Sequence, residues 1–206
     1  YNGSTWSVGG DYPTPNVNAA ASGTSATAIV FGGAIAPGGT ALNTCASYDG
    51  SVFAAETSLS TARESHAGSS QSTAQSAYAC AGNPTSSAAT EEYNSTTATL
   101  TGASWATGGA LNTGRSHGQG AGAQTSGLYY GGSTGGGSHV NNSEEYNGTS
   151  WTEGNNLNTA RRYMAGSGTQ TAAITSGGIA PPADTAAVEE YDGTSWSNGT
   201  SLPGAN

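Results

Sequence analysis

The chain of 206 residues reads as an all-β propeller with four full four-stranded blades and a partial blade, on three observations. A tyrosine recurs every 45 to 53 residues, at Tyr1, Tyr48, Tyr93, Tyr146 and Tyr191. An apolar run closed by a glycine doublet recurs ahead of these tyrosines, and a tight-turn dipeptide with an aromatic residue follows them. A fixed period of roughly 20 to 50 residues marks solenoids, propellers or arrays, and several short strands within each period mark propeller blades.

Each unit is expected to run through four strands. The first follows a repeated arginine: LSTAR ends at Arg63, LNTGR at Arg115 and LNTAR at Arg161. After the arginine come small residues, as in AAASGT, QGAGAQ and MAGSGT, which suit a strand crowded around a central axis. The second strand carries the doublet in IVFGG at Gly33, LYYGG at Gly132 and AITSGG at Gly178, weakened to YACAG at Gly82. The third is acidic and ends on the tyrosine. A turn such as Asn147-Gly148 or Asp192-Gly193 then leads into the aromatic fourth strand, which predicts a two-residue hairpin because these pairs accept positive φ. The spacing predicts blades over 12–58, 59–110, 111–156 and 157–202, with 1–11 ending a partial blade and 203–206 starting another. A chain cut mid-repeat is expected to be a processed or internal piece of a longer propeller or repeating assembly.

Composition explains what such a chain can do. Leu, Ile, Val and Phe are scarce enough to suggest disorder, but the regular aromatic interval opposes that reading. The formal charge is −9, charged residues make up 8% and there is no lysine. Nucleic acid is excluded as a partner, since phosphate neutralisation needs clustered cations. No run reaches the ~18 apolar residues of a membrane span. Cys45 and Cys80 fit no zinc spacing and are expected to be small buried hydrophobes.

The doublets Gly32-Gly33, Gly131-Gly132 and Gly177-Gly178, with Tyr48, Tyr93, Tyr146 and Tyr191 and the indoles Trp105, Trp151 and Trp196, resemble the kelch repeat over nearly the whole chain. Phe53 stands for Trp in one repeat and Ala81-Gly82 for a doublet in another. SYDGSVF at Ser47 to Phe53 comes close to the sialidase-type Asp box but lacks a residue between Asp and Gly, so kelch is the better match. The array is also similar in style to repeats of phage virion and environmental surface proteins. Some kelch propellers are copper radical oxidases. That resemblance would require paired histidine ligands, which His66, His117 and His139 do not supply. No metal or cofactor is expected.

Candidate chemistry is sparse. Glutamate doublets precede three of the tyrosines, at Glu91-Glu92, Glu144-Glu145 and Glu189-Glu190. Adjacent strand residues point to opposite faces, so none of the three doublets can act as a glycosidase pair. Arg63, Arg115 and Arg161 occur only in blades with a doublet; the first full blade has Asn16 and Ala46-Ser47 instead. This joint loss predicts a structural ion pair in each blade, with Glu92, Glu145 and Glu190, next to the tyrosine, as the partners. Trp105, Trp151 and Trp196 are expected to pack between blades.

The loops after the doublets vary most and are the expected binding surface, with Pro37, Asn83, Ser138, His139, Asn141, Pro181 and Asp184 as candidates. Sequons at Asn2, Asn94, Asn141, Asn147 and Asn198 would be glycosylated only in a glycosylating compartment. The expectation is a non-enzymatic structural or recognition module of an extracellular or virion appendage, binding subunits of the same assembly or a surface glycan. The alternative is a fragment of a carbohydrate-active enzyme.

Overall fold

The computed structural model describes residues 4–5, 8–70, 73–95 and 104–205, and among them four antiparallel four-stranded sheets form a four-blade β-propeller. The first blade holds β1 (Ala20–Gly23), β2 (Ala28–Phe31), β3 (Cys45–Tyr48) and β4 (Phe53–Glu56). The second holds β5 (Ala67–Gly68), β6 (Ser76–Cys80), β7 (Thr90–Asn94) and β8 (Ser104–Thr107). The third holds β9 (Gln119–Ala123), β10 (Ser126–Tyr130), β11 (Ser143–Tyr146) and β12 (Trp151–Glu153). The fourth holds β13 (Ala165–Thr169), β14 (Ala172–Ser176), β17 (Val188–Tyr191) and β18 (Trp196–Asn198), with a small hairpin, β15 (Ile179–Ala180) and β16 (Ala183–Asp184), inserted after its second strand. Of the partial blade expected over 1–11, residues 1–3 and 6–7 lie outside the described residues, and residues 4–5 and 8–11 are in no strand.

The first strands meet in sequence, β1 with β5, β5 with β9 and β9 with β13. Their small residues make this possible: a Cβ on Gly120 would stand 2.8 Å from the Gly68 carbonyl oxygen of the blade before. The glycine doublet has a separate cause. Its first position has φ between 62° and 66° in all four blades, close to the left-handed well, and a small residue survives there as Ala81. Its second position has φ between 88° and 103°, beyond that well, and is glycine every time. The strained backbone aims the second amide at the next blade: Gly33, Gly82 and Gly132 donate to the carbonyls of Arg63, Arg115 and Arg161 at 2.8, 3.1 and 2.9 Å.

Apolar mass lies between blades. Ile29 and Phe31 of the first blade bury against Leu59, Ala77, Ala79 and Tyr93, and two analogous clusters seal the second to the third and the third to the fourth blade. The indoles belong to these seams. Trp105 meets Phe31 at 5.0 Å, Trp151 meets Tyr78 at 5.9 Å and Trp196 meets Tyr130 at 4.8 Å, each across a blade boundary. Ile174 occupies the position of Ile29, Tyr78 and Leu128, yet it is 45% exposed while they are fully buried. Cys45 and Cys80 are free and buried, and burial pushes both thiols up to about 12, which removes thiolate chemistry at ordinary pH.

The third-to-fourth strand turn differs from expectation. Tyr146 pairs with Trp151 and Tyr191 with Trp196, so four residues connect the strands, not two. The Asn147 side-chain oxygen accepts the amides of Thr149 and Ser150 at 2.9 Å, and Asp192 does the same for Thr194 and Ser195 at 2.8 Å. The Asx side chain satisfies the longer loop, and only the glycine has positive φ.

Candidate functional site

The strongest charges are consumed inside the blades. Arg63, Arg115 and Arg161 are fully buried, each paired within its own blade. Arg63 bonds Glu91 at 2.7 Å, Arg161 bonds Glu189 at 2.9 Å, and Arg115 bonds Glu144. Arg115 spends the rest of its guanidinium on the carbonyls of Thr113, Tyr129 and Gly131, while Arg63 and Arg161 each donate through one further nitrogen to two backbone carbonyls and keep a buried Nε without a partner among the described residues. Each glutamate also accepts a backbone amide from the leucine segment, from Ser60, Asn112 and Asn158 at 2.6, 2.7 and 2.6 Å.

The partners expected from sequence, Glu92, Glu145 and Glu190, are therefore replaced by the first glutamate of each doublet. The arginine segment enters between a blade and the one before it, on the side where the tyrosine packs, and strand alternation puts Glu91, not Glu92, on that side with Tyr93. Glu92 and Glu145 face the following blade and accept the hydroxyls of Tyr146, at 2.6 Å, and Tyr191. Burial first, and Glu92 second, push the Tyr146 phenol up to about 12. Glu190 is exposed. In the first blade, where Ser47 stands at this position, Glu56 of β4 supplies the carboxylate, receiving the Ser47 hydroxyl at 2.8 Å and the Tyr93 hydroxyl at 3.4 Å.

The loop candidates gather at one end of the propeller, because the segment entering each first strand bridges to the segment leaving each doublet: Val17 with Ala34, Glu64 with Asn83, Ser116 with Ser133 and Arg162 with Ile179. Pro37, Ser138, Pro181 and Asp184 are exposed, and Asn83 and His139 half-buried. Asn141 is spent on structure. Its amide donates to the Leu157 carbonyl at 2.9 Å, as Asn43 donates to Leu59 at 3.1 Å, which engages one of its two N–H donors within the loop. Of the other sequons, Asn94, Asn147 and Asn198 are exposed and Asn2 lies outside the described residues.

At the same end the axis opens into a cavity of about 230 Å³ lined by Asn18, Ser65, His66, His117, Tyr163 and Met164, contributed by all four blades. Four of its residues occupy one repeat position. Asn18, Ser65, His117 and Tyr163 have φ of 57°, 51°, 60° and 56°, although none is glycine. Their backbones are strung together across blade boundaries, since Ser65 donates to Asn18, His117 to Ser65 and Tyr163 to His117 at 3.0 to 3.1 Å. Left-handed backbone at a bulky residue costs about 1 kcal/mol or more and persists where the surroundings impose it. Here the repeat holds the backbone constant and lets the side chain vary.

Beside this opening lies a cleft of about 370 Å³, lined by Asn83, Ser116, His117, Ser133 and Arg162 among others. The Tyr163 ring is 55% exposed, stands edge-on to His117 at 4.5 Å and carries the Arg162 guanidinium 4.9 Å from its centroid. Asn18 donates to the Glu64 carboxylate at 3.0 Å. Burial foremost, and Arg162 next, hold His117 and His139 below their usual value, so both rings are neutral at pH 7. Among the described residues no group of three or more His, Cys, Asp or Glu side chains is placed to hold a metal ion.

His66 makes a measurable contribution. Burial, then Arg63, pushes its imidazole down from 6.5 to about 3. A depressed folded-state value means that its stabilising effect is complete above the unfolded value and is lost as pH falls from about 6.5 towards 3. The melting temperature of the chain should therefore fall across that window more steeply than that of His66→Gln. Parallel curves for the two proteins would show that His66 does not charge on unfolding.

Arg162, Tyr163, His117, Asn18 and Ser65 were not singled out as site residues from sequence. The signal available was the contrast between a position that is arginine in three blades of four and the positions just after it, where Val17, Glu64, Ser116 and Arg162, then Asn18, Ser65, His117 and Tyr163, share no chemistry.

No protein-family model matches the chain, and no curated protein matches it. Among solved structures it is similar to one described as "Structure of YjhT", with a TM-score of 0.65 at 11% identity, over 84% of this chain and 66% of that one. The chain thus spans just under two thirds of the length of that protein, and the likeness is one of fold.

Proposed function

We propose that this chain is a non-catalytic recognition module of kelch-like type, presented outside a cell or on a virion appendage, and that it binds a glycan or partner subunit with the loop end of the propeller. The observation that carries this reading is the divergence at the axial opening: four equivalent positions keep one strained backbone and one hydrogen-bonded string but present Asn, Ser, His and Tyr. A scaffold that repeats while its displayed side chains change is how propellers acquire specificity. The exposed Tyr163 ring offers a flat apolar face for a sugar, next to His117 and Arg162, which with Asn83, Ser116 and Ser133 line the adjoining cleft. Exposure to proteases fits a chain without lysine whose Arg63, Arg115 and Arg161 are buried.

A glycan array probed with the chain and with Tyr163→Ala tests this. Binding without turnover, lost in the variant, is the expected result. Chemical conversion of a bound sugar would overturn the non-catalytic reading, and binding unaffected by Tyr163→Ala would move the site elsewhere.

A further inference from the structure

We infer that the ligand of the loop end carries an anionic group, a carboxylate on a sugar, held by Arg162. This rests on the reading of that end as a recognition surface and adds the chemical class of what is recognised. The chain has four cationic side chains against thirteen acidic ones, and three of the four are neutralised within their blades. Arg162 is the exception. Among the described residues no carboxylate lies within ion-pair distance of it; its Nε is buried without a hydrogen-bond partner, as are those of Arg63 and Arg161, but it alone has no carboxylate to offset that.

Two acids of the loop end are otherwise placed. Glu64, the equivalent of Arg162 in the second blade, holds the Asn18 amide. Asp184 sits opposite Ile179 on the exposed β15–β16 hairpin and forms no ion pair. Arg162 therefore presents an uncompensated guanidinium at the wall of the 370 Å³ cleft, its plane steadied by Tyr163 and its neighbours His117, Asn83, Ser116 and Ser133 neutral and able to bond hydroxyls. A guanidinium fork matches a carboxylate in two parallel hydrogen bonds, and an adjacent aromatic face suits the C–H side of a pyranose. The net negative charge of the chain disfavours anions elsewhere on its surface, which leaves this cation as the place where one is taken.

The test titrates the full chain with oligogalacturonate and with the methyl ester of the same oligomer, which keeps the sugar and removes the charge, and with sodium acetate and sodium sulfate as plain anions. The acid is expected to bind and the ester to bind about ten- to a hundredfold more weakly, the range of a charge-assisted hydrogen-bond pair. Arg162→Gln should bring the acid down to the level of the ester, with unchanged melting temperature, and Arg162→Lys should recover part of the loss. Equal binding of acid and ester, or full binding by Arg162→Gln, would overturn the inference while leaving a neutral-glycan recognition module standing. Acetate or sulfate binding as tightly as the oligomer would reduce the site to a simple anion site. Binding of neither oligomer, with neutral glycans bound on the array, would overturn the inference alone; no glycan bound at all would overturn both readings.

Discussion

Arg115→Asn should cost about 3 to 5 kcal/mol of unfolding free energy, because it leaves the Glu144 carboxylate buried without its cation. The first blade contains the compensated form of this change. There Asn16 stands at the arginine position and donates to the Gly32 carbonyl at 2.7 Å, the bond that Arg115 makes to Gly131. Ala46 stands at the glutamate position and is buried. The amide that would have pointed at the glutamate is absent too, because Pro13 occupies the place of Ser60, Asn112 and Asn158 and has no N–H. The loss is therefore threefold and leaves neither a buried charge nor a backbone amide aimed at a missing carboxylate, the Asn16 side-chain oxygen remaining buried without a partner. Transplanting it into the third blade as Arg115→Asn, Glu144→Ala and Asn112→Pro should recover most of the stability, whereas Arg115→Asn with Glu144→Ala should recover less, since the Asn112 amide stays unsatisfied. Urea unfolding of the three variants measures this. A single variant as stable as the parent, or a triple no better than the single, would show that the pair does not act as a unit.

Trp151→Ala should cost a similar amount, about 3 to 5 kcal/mol, by opening a cavity in the seam between the second and third blades. The indole is buried against Tyr78 and Tyr146, and its N–H donates to the Thr90 hydroxyl at 2.9 Å. Trp196 and Trp105 lie in the other two seams, but among the described residues the Trp196 N–H has no partner, and Trp105 is only half-buried. The three indoles should accordingly rank with Trp151→Ala the most damaging and Trp105→Ala the least. Replacement by Phe separates the two terms: it should cost more at 151, where Thr90 loses its donor, than at 196. Unfolding midpoints for the three alanine variants that fail to separate would contradict the seam assignment.

The ion pairs and the indoles were foreseen in different degrees for a physical reason. Covariation along the repeat tied the arginines to the glutamate doublets, since a buried charge cannot be kept without its partner. It could not choose within a doublet. That choice depends on which face of β7, β11 and β17 meets the incoming arginine segment, and this is set by how one blade leans on the next. Glu56 in place of Ser47 shows the same limit: the carboxylate under Tyr93 comes from another strand of the sheet, at a position no repeat alignment connects with it.

The sequence by itself determined the four-strand repeat, the glycine at the second doublet position and the aromatic seams, because these are local demands of backbone dihedral angle and strand period, restated every 45 to 53 residues. Only the tertiary structure decided where those repeats meet. Asn18, Ser65, His117 and Tyr163 lie about one blade apart along the chain and share no chemistry, so nothing in the sequence joins them. They become one surface because the blades turn about an axis and the same strained position of each arrives at its mouth. Arg162 differs from Arg161 for the same reason. One residue along a strand entrance moves a guanidinium from the buried side, where Glu189 awaits it, to the open side, where no carboxylate among the described residues reaches it.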